Sequence, residues 1–168
     1  MKNKSDKFAR GKGDLIKVKK QKPKILVIHG PNLNLLGKRE PDLYGEKTLE
    51  TVHEELEKDS RRLGIEVEMF QSNHEGAIID RIQEAGEGCA GLIINPAAFS
   101  HTSIAIRDAL LCLDVPIVEV HISNIYKREP FRHRSLISDI TTATLSGFGT
   151  EGYRMALRAM ADMISESI

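Results

Sequence analysis

From Ile25 onward the chain alternates short apolar runs with longer stretches of helical period. Ile25–Ile28 reads as a buried strand, and Thr48–Leu63 as a helix with Leu49, Val52, Leu56 and Leu63 near one face. Thr48 can cap its start, and Gly64 ends it. Ile65–Phe70 alternates like a second strand, and Glu75–Ala85 forms a helix with Ile78, Ile79 and Ile82 inward. Gly91–Ile94 is the third strand. Thr102–Leu113 is the third helix, closed by Asp114-Val-Pro116. Ile117–Val120 and Ala143–Leu145 are further strands, and a last helix opens at Gly149 or Thr150 and runs to about Met163.

Five β–α units of this kind imply a parallel sheet covered on both faces. The expected architecture is α/β: a flavodoxin-like three-layer sandwich whose five-stranded parallel sheet has the order 2-1-3-4-5. Such sheets take ligands at the carboxyl ends of their strands, beside the switch point between strands 1 and 3. The polar residues fall there. Strand 1 runs into Gly30-Pro-Asn32, strand 3 into Asn95-Pro-Ala-Ala-Phe-Ser-His101, and strand 4 into Glu119-Val-His121-Ile-Ser123-Asn124. The connection Gly30–Gly45 is much longer than the usual 2–6 residues, which suits a loop that closes over a substrate and brings a base with it.

Glu119 and His121 are two apart on one strand, so both point to the same face. A carboxylate there favours the imidazolium and fixes its orientation, which makes His121 a candidate proton donor. Tyr44 is a candidate base. Ionising a phenol near neutral pH needs a shift of roughly 2 units, about 2.7 kcal/mol. A guanidinium about 4 Å away supplies on the order of 4 kcal/mol at an effective dielectric of 20. Arg39, on the same loop, is enough in principle; the alternative is a Tyr44 packed on the sheet beside a solvated Arg39. Asn95 either holds substrate or is a plain turn residue. Ala97-Ala98 lets backbone approach a ligand, and a helix beginning at Ser100 or His101 would offer N–H groups to an anionic or hydroxyl-rich one. Asp108 lies seven residues beyond His101, about 10 Å along the helix, and faces either solvent or a neighbouring subunit. In Lys127-Arg128-Glu129-Pro-Phe-Arg132-His-Arg134, Arg132 suits a carboxylate clamp better than a nucleic-acid patch.

Composition changes the picture little. The 168 residues, 40% hydrophobic and 29% charged, suit one soluble domain. The zero net charge hides a basic start: residues 1–24 hold ten Lys/Arg against two Asp/Glu. Residues 1–23 read as a flexible basic extension and 24–168 as the catalytic domain. Cys89 and Cys112 read as buried free thiols of a reducing cytoplasm, without metal-ligand spacing. No apolar stretch approaches the roughly 20 residues of a membrane span, and no secretory signal is evident. No phosphate-binding glycine motif follows strand 1, so no nucleotide, cofactor or metal is required. The chemistry implied is a proton out and a proton in on an anionic polar ligand, a β-elimination or isomerisation. A non-catalytic flavodoxin-like ligand-binding module is the alternative, and a nucleic-acid binder a further one.

Five segments and a closing motif together carry a resemblance. They are Gly30-Pro-Asn-Leu-Asn-Leu-Leu-Gly, Arg39-Glu-Pro-x-x-Tyr44-Gly, Gln71-Ser-Asn-His-Glu-Gly76, Asn95-Pro-Ala-Ala-Phe-Ser-His-Thr-Ser103, Glu119-Val-His-Ile-Ser-Asn124, and the closing Gly147-Phe-Gly-x-x-Gly-Tyr153. In this order, over about Lys24 to Met163, they resemble type II 3-dehydroquinate dehydratase. The resemblance implies anti dehydration of 3-dehydroquinate to 3-dehydroshikimate through an enolate, without a cofactor. It implies a cytoplasmic homododecamer, a tetramer of trimers, that binds no nucleic acid and no membrane. Tyr44 is then the base, His121 the acid, Arg39 the stabiliser of tyrosinate and transition state, and Asn32 the stabiliser of the enolate through a water. Glu119 orients His121. Asn95, His101, the Ile122–Ser123 backbone and Arg132 hold hydroxyls and carboxylate, and Asp108 reaches into a neighbour's site.

Overall fold

The computed structural model describes residues 21–38 and 47–166. Five strands form one parallel sheet in the order β2-β1-β3-β4-β5: β1 (Lys24–His29), β2 (Glu66–Gln71), β3 (Gly91–Asn95), β4 (Ile117–His121) and β5 (Ala143–Ser146). Four α-helices cover it: α1 (Leu49–Leu63), α2 (Glu75–Ala85), α3 (Ile104–Leu111) and α4 (Glu151–Glu166). The expected order and the flavodoxin-like sandwich are both found.

Strand alternation divides the core. Ile25, Val27, Ile93, Val118 and Val120 face α1 and α4, packing on Val52, Leu56, Tyr153, Leu157 and Met160. Leu26, Ile28, Leu92 and Ile94 face the other way, onto Ile78, Ile82, Ile106 and Leu110 of α2 and α3. The three central strands are therefore apolar through their middles, because both faces are covered, and polar mainly toward their carboxyl ends, at His29, Asn95, Glu119 and His121. Each fully buried Ile or Leu contributes about 1.5–3 kcal/mol relative to exposure. β2, at the edge, is only partly buried.

The helix ends follow local chemistry. Thr48 Oγ1 accepts from Thr51 N at 3.3 Å, and Gly64 closes α1 at φ 71. Leu63, expected on the inward face, is 37% exposed instead, as the last residue of α1 before the Gly64 cap. The third helix begins later than Thr102. Ala97–His101 forms a separate 3-10 turn, and Ser103 Oγ caps α3 by accepting from Ile106 N at 2.9 Å. The cysteines depart from expectation too. Cys89 is half-buried beyond the end of α2, and Cys112 is exposed because it sits on the solvent side of the C-cap of α3.

Candidate active site

The carboxyl ends of β1, β3 and β4 enclose a cleft of about 140 Å³, a volume suited to a small ligand. At the β4 end, His121 Nε2 donates to Glu119 Oε1 at 2.7 Å, and both residues are buried. This dyad is the one that the two-residue spacing predicts. Ser135 Oγ donates to the same carboxylate oxygen at 2.6 Å. Ser138 Oγ and Thr144 Oγ1 donate to Oε2, the latter at 3.4 Å. Burial pushes the Glu119 carboxyl up, but the donors from His121, Ser135 and Ser138 outweigh it and hold the group below the usual carboxylate range. With Nε2 committed to Glu119, Nδ1 is the His121 atom left for chemistry.

Beside it lies the β3 end. Asn95 is both a turn residue and a cleft residue: Oδ1 accepts from Ala97 N at 3.1 Å, Nδ2 donates to Tyr153 Oη at 2.9 Å, and the amide lines the cleft. This turn holds Ala97 at φ 52, a left-handed conformation for a residue with a Cβ. His101 Nδ1 donates to the Arg134 carbonyl at 2.9 Å, which leaves Nε2 as an acceptor. Its ring lies nearly parallel to that of His121, with centroids 6.2 Å apart. Burial lowers its pKa, the bond to Arg134 works against that, and His121 and Arg132 push it down further. The helix expected to begin at Ser100 or His101 does not start there: both residues belong to the 3-10 turn, and α3 starts later, capped by Ser103.

The β1 end supplies Asn32 at φ 67. Asn73 Oδ1 accepts from Asn32 N at 2.9 Å and from Gln71 Nε2 at 3.1 Å, and Gln71 Nε2 also reaches the Gly30 carbonyl. Gly30 N donates to the Asn95 carbonyl at 2.7 Å, and a Cβ on Gly30 would collide with the Pro96 carbonyl. Only glycine lets the two loops meet there.

Ile122, Ser123 and Arg132 also line the cleft. Arg132 Nε donates to Glu129 Oε2 at 3.0 Å, so the guanidinium at the rim keeps its terminal nitrogens for another anion. Asp108 is exposed on α3, away from this chain's cleft. Arg39 and Tyr44 lie outside the described residues, as does the rest of the segment 39–46. Sequence reasoning missed Ser135, Ser138, Thr144 and His29, and gave no role to Gln71, Asn73 and Tyr153, which it quotes only within the motifs of the resemblance. Ser135 and Ser138 stand in a hydroxyl-rich run after the basic segment, the one signal that pointed to them.

Among the described residues, no group of three His, Cys, Asp or Glu side chains is placed to hold a metal ion. No described helix is long and apolar enough to cross a membrane.

Comparison with known proteins places the chain in a family. The family described as dehydroquinase class II matches residues 23–161. A 3-dehydroquinate dehydratase of Halothermothrix orenii is 54% identical over 143 residues, covering 85% of this chain and 97% of that protein. A 3-dehydroquinate dehydratase of Bordetella avium is 55% identical over 135 residues, 80% of this chain and 94% of that one. The crystal structure of a type II dehydroquinase from Propionibacterium acnes superposes with a TM-score of 0.82 at 44% identity, covering 84% of this chain and 98% of the other.

Proposed function

The chain belongs to the class II dehydroquinase family, and from that premise we propose that it dehydrates 3-dehydroquinate by a stepwise anti elimination. Its activity is that of a 3-dehydroquinate dehydratase, a hydro-lyase of the shikimate pathway. The observation that best supports an acid-assisted elimination is the buried Glu119–His121 dyad at a cleft rimmed by Arg132.

Tyr44, as a phenolate sustained by Arg39, takes a proton from the carbon beside the ketone. The C–H electron pair passes into the carbonyl, giving an enolate that Asn32 stabilises through a water. The enolate then collapses. Its electrons form the new C=C bond and expel the hydroxyl β to the carbonyl, which takes a proton from His121 and leaves as water. Solvent restores the phenolate and the imidazolium. Glu119 keeps His121 oriented throughout. Asn95, His101 and the Ile122–Ser123 backbone hold substrate hydroxyls, and Arg132 clamps the carboxylate. The scheme calls on no cofactor, nucleic acid or membrane.

In this reading the working unit is a cytoplasmic dodecamer built as a tetramer of trimers, in which Asp108 enters a neighbour's site. The catalytic domain of this reading spans residues 24–168, and the basic residues 1–23 precede it in the sequence. Adding 3-dehydroquinate to purified protein should give a rising enone absorbance. Binding without that rise would leave only a ligand-binding module, and no binding would remove both readings.

A further inference from the structure

Behind Asn95 runs a buried line of polar groups that the elimination does not use. Asn95 is 3% exposed, and Tyr153 and His29 are fully buried between the sheet and helices α1 and α4. Tyr153 Oη lies 2.9 Å from Asn95 Nδ2 and 3.0 Å from His29 Nδ1. His29 Nε2 lies 3.1 Å from Nε2 of His53, which is half-buried on α1. Nothing in an apolar core asks for four such groups in a row, and a line of this kind is costly unless every member is satisfied.

One peptide group sets the direction of the whole line. Ala97 N–H can only donate, so it fixes Oδ1 of Asn95 on its side and turns Nδ2 toward Tyr153. Tyr153 Oη accepts there and sends its single proton to His29 Nδ1. His29 is then the tautomer protonated on Nε2, which donates to Nε2 of a neutral His53 carrying its proton on Nδ1. Burial, with His53 beside it, pushes His29 down to about 3, so it stays neutral. Burial likewise pushes the Tyr153 hydroxyl up. His53 sits below its ordinary value because of burial, while Glu50 and Glu57 on its own helix pull the other way. Among the described residues, the groups that face it are therefore these two carboxylates and His29 of β1.

We propose that Tyr153 and His29 are positioning residues that hold the Asn95 amide for substrate, and that the protonation state of His53 sets the direction of their hydrogen bonds. The proposal rests on the reading of Asn95 as a substrate-holding residue. A His53 that is neutral at pH 7 gains its proton as the pH falls, and the new N–H on Nε2 then confronts the N–H of His29. The line must break there or reverse. Reversal leaves the Tyr153 hydroxyl and the Asn95 amide as opposed donors, and the amide loses its anchor.

The test measures KM and kcat from mildly alkaline to mildly acidic pH in the full-length protein and in His53→Gln, with 15N shifts of the imidazoles recorded alongside. The wild-type KM should rise on acidification by about tenfold, the worth of one net hydrogen bond, and the rise should be absent in His53→Gln. His29 should be the Nε2–H tautomer at neutral pH. In Tyr153→Phe, which keeps the shape of the core, KM should rise by a similar factor with kcat changed far less. A wild-type KM that does not move, an acid rise that survives in His53→Gln, a fall in kcat alone in Tyr153→Phe, or an Nδ1–H tautomer at His29 would each overturn the proposal. If the wild-type protein fails to turn over 3-dehydroquinate, the functional reading falls, and the nitrogen shifts still decide the direction of the line.

Discussion

Replacing Tyr44 by Phe removes one oxygen and, on the proposed scheme, the base. Turnover should fall by about 10²–10⁴-fold while substrate affinity stays near the wild-type value. Enone absorbance and calorimetric titration check the two halves, and full activity in Tyr44→Phe would end the tyrosinate mechanism. Arg132→Ala should act the other way, because a charge-assisted hydrogen bond is worth about 1.5–3 kcal/mol: KM rises roughly 10–100-fold and kcat changes little. At this scale the sequence was informative where partners are close along the chain. Glu119 and His121 were paired by strand geometry alone. The hydroxyls of Ser135, Ser138 and Thr144 come from segments that meet Glu119 only once β4 and β5 lie side by side, and no local period announces that. Asn95 shows a further limit: its turn bond and its place in the cleft coexist.

Among the elements, the helices facing β1, β3 and β4 are joined by charge as well as by packing. Asp59 of α1 is buried and accepts from Arg154 Nε of α4 at 2.8 Å, with Arg158 at 3.6 Å. The hydrogen bond from Arg154 outweighs burial and holds its carboxyl below the usual range. Asp59→Ala should cost about 1–3 kcal/mol of stability in urea unfolding at neutral pH. The sign with pH follows from the lowered value. The contribution is complete above the unfolded carboxyl range and is lost as the pH falls through the folded value, so wild type and variant should converge in acid. Element types and order were legible from apolar periods; boundaries were not. The third helix was placed too early because Thr102–Leu113 keeps a helical composition. Ser103 takes the cap, and Ala97–His101 before it forms a separate 3-10 turn that begins at the left-handed Ala97.

For the molecule as a whole, the order 2-1-3-4-5 already predicts a cleft at the ends of β1 and β3, and the cleft is there. Subunit contacts are a different matter, since spacing along one helix left Asp108 open between solvent and a neighbour. If Asp108 completes a neighbour's site, Asp108→Ala and His121→Asn should each be nearly inactive alone. Dissociated, mixed in equal amounts and reassembled, they should regain about a quarter of wild-type activity, as random pairing requires. Activity that stays at the level of the separate variants would confine Asp108 to its own chain.

The four donors around Glu119 come from β4, from the segment after it and from β5, so the carboxylate is solvated by the fold itself. Water that must be stripped or reoriented at each turnover adds to a barrier; hydroxyls already locked in place do not. The work of arranging that shell is done once, when the chain folds, and on the proposed scheme every molecule of substrate that follows meets a proton donor already aimed.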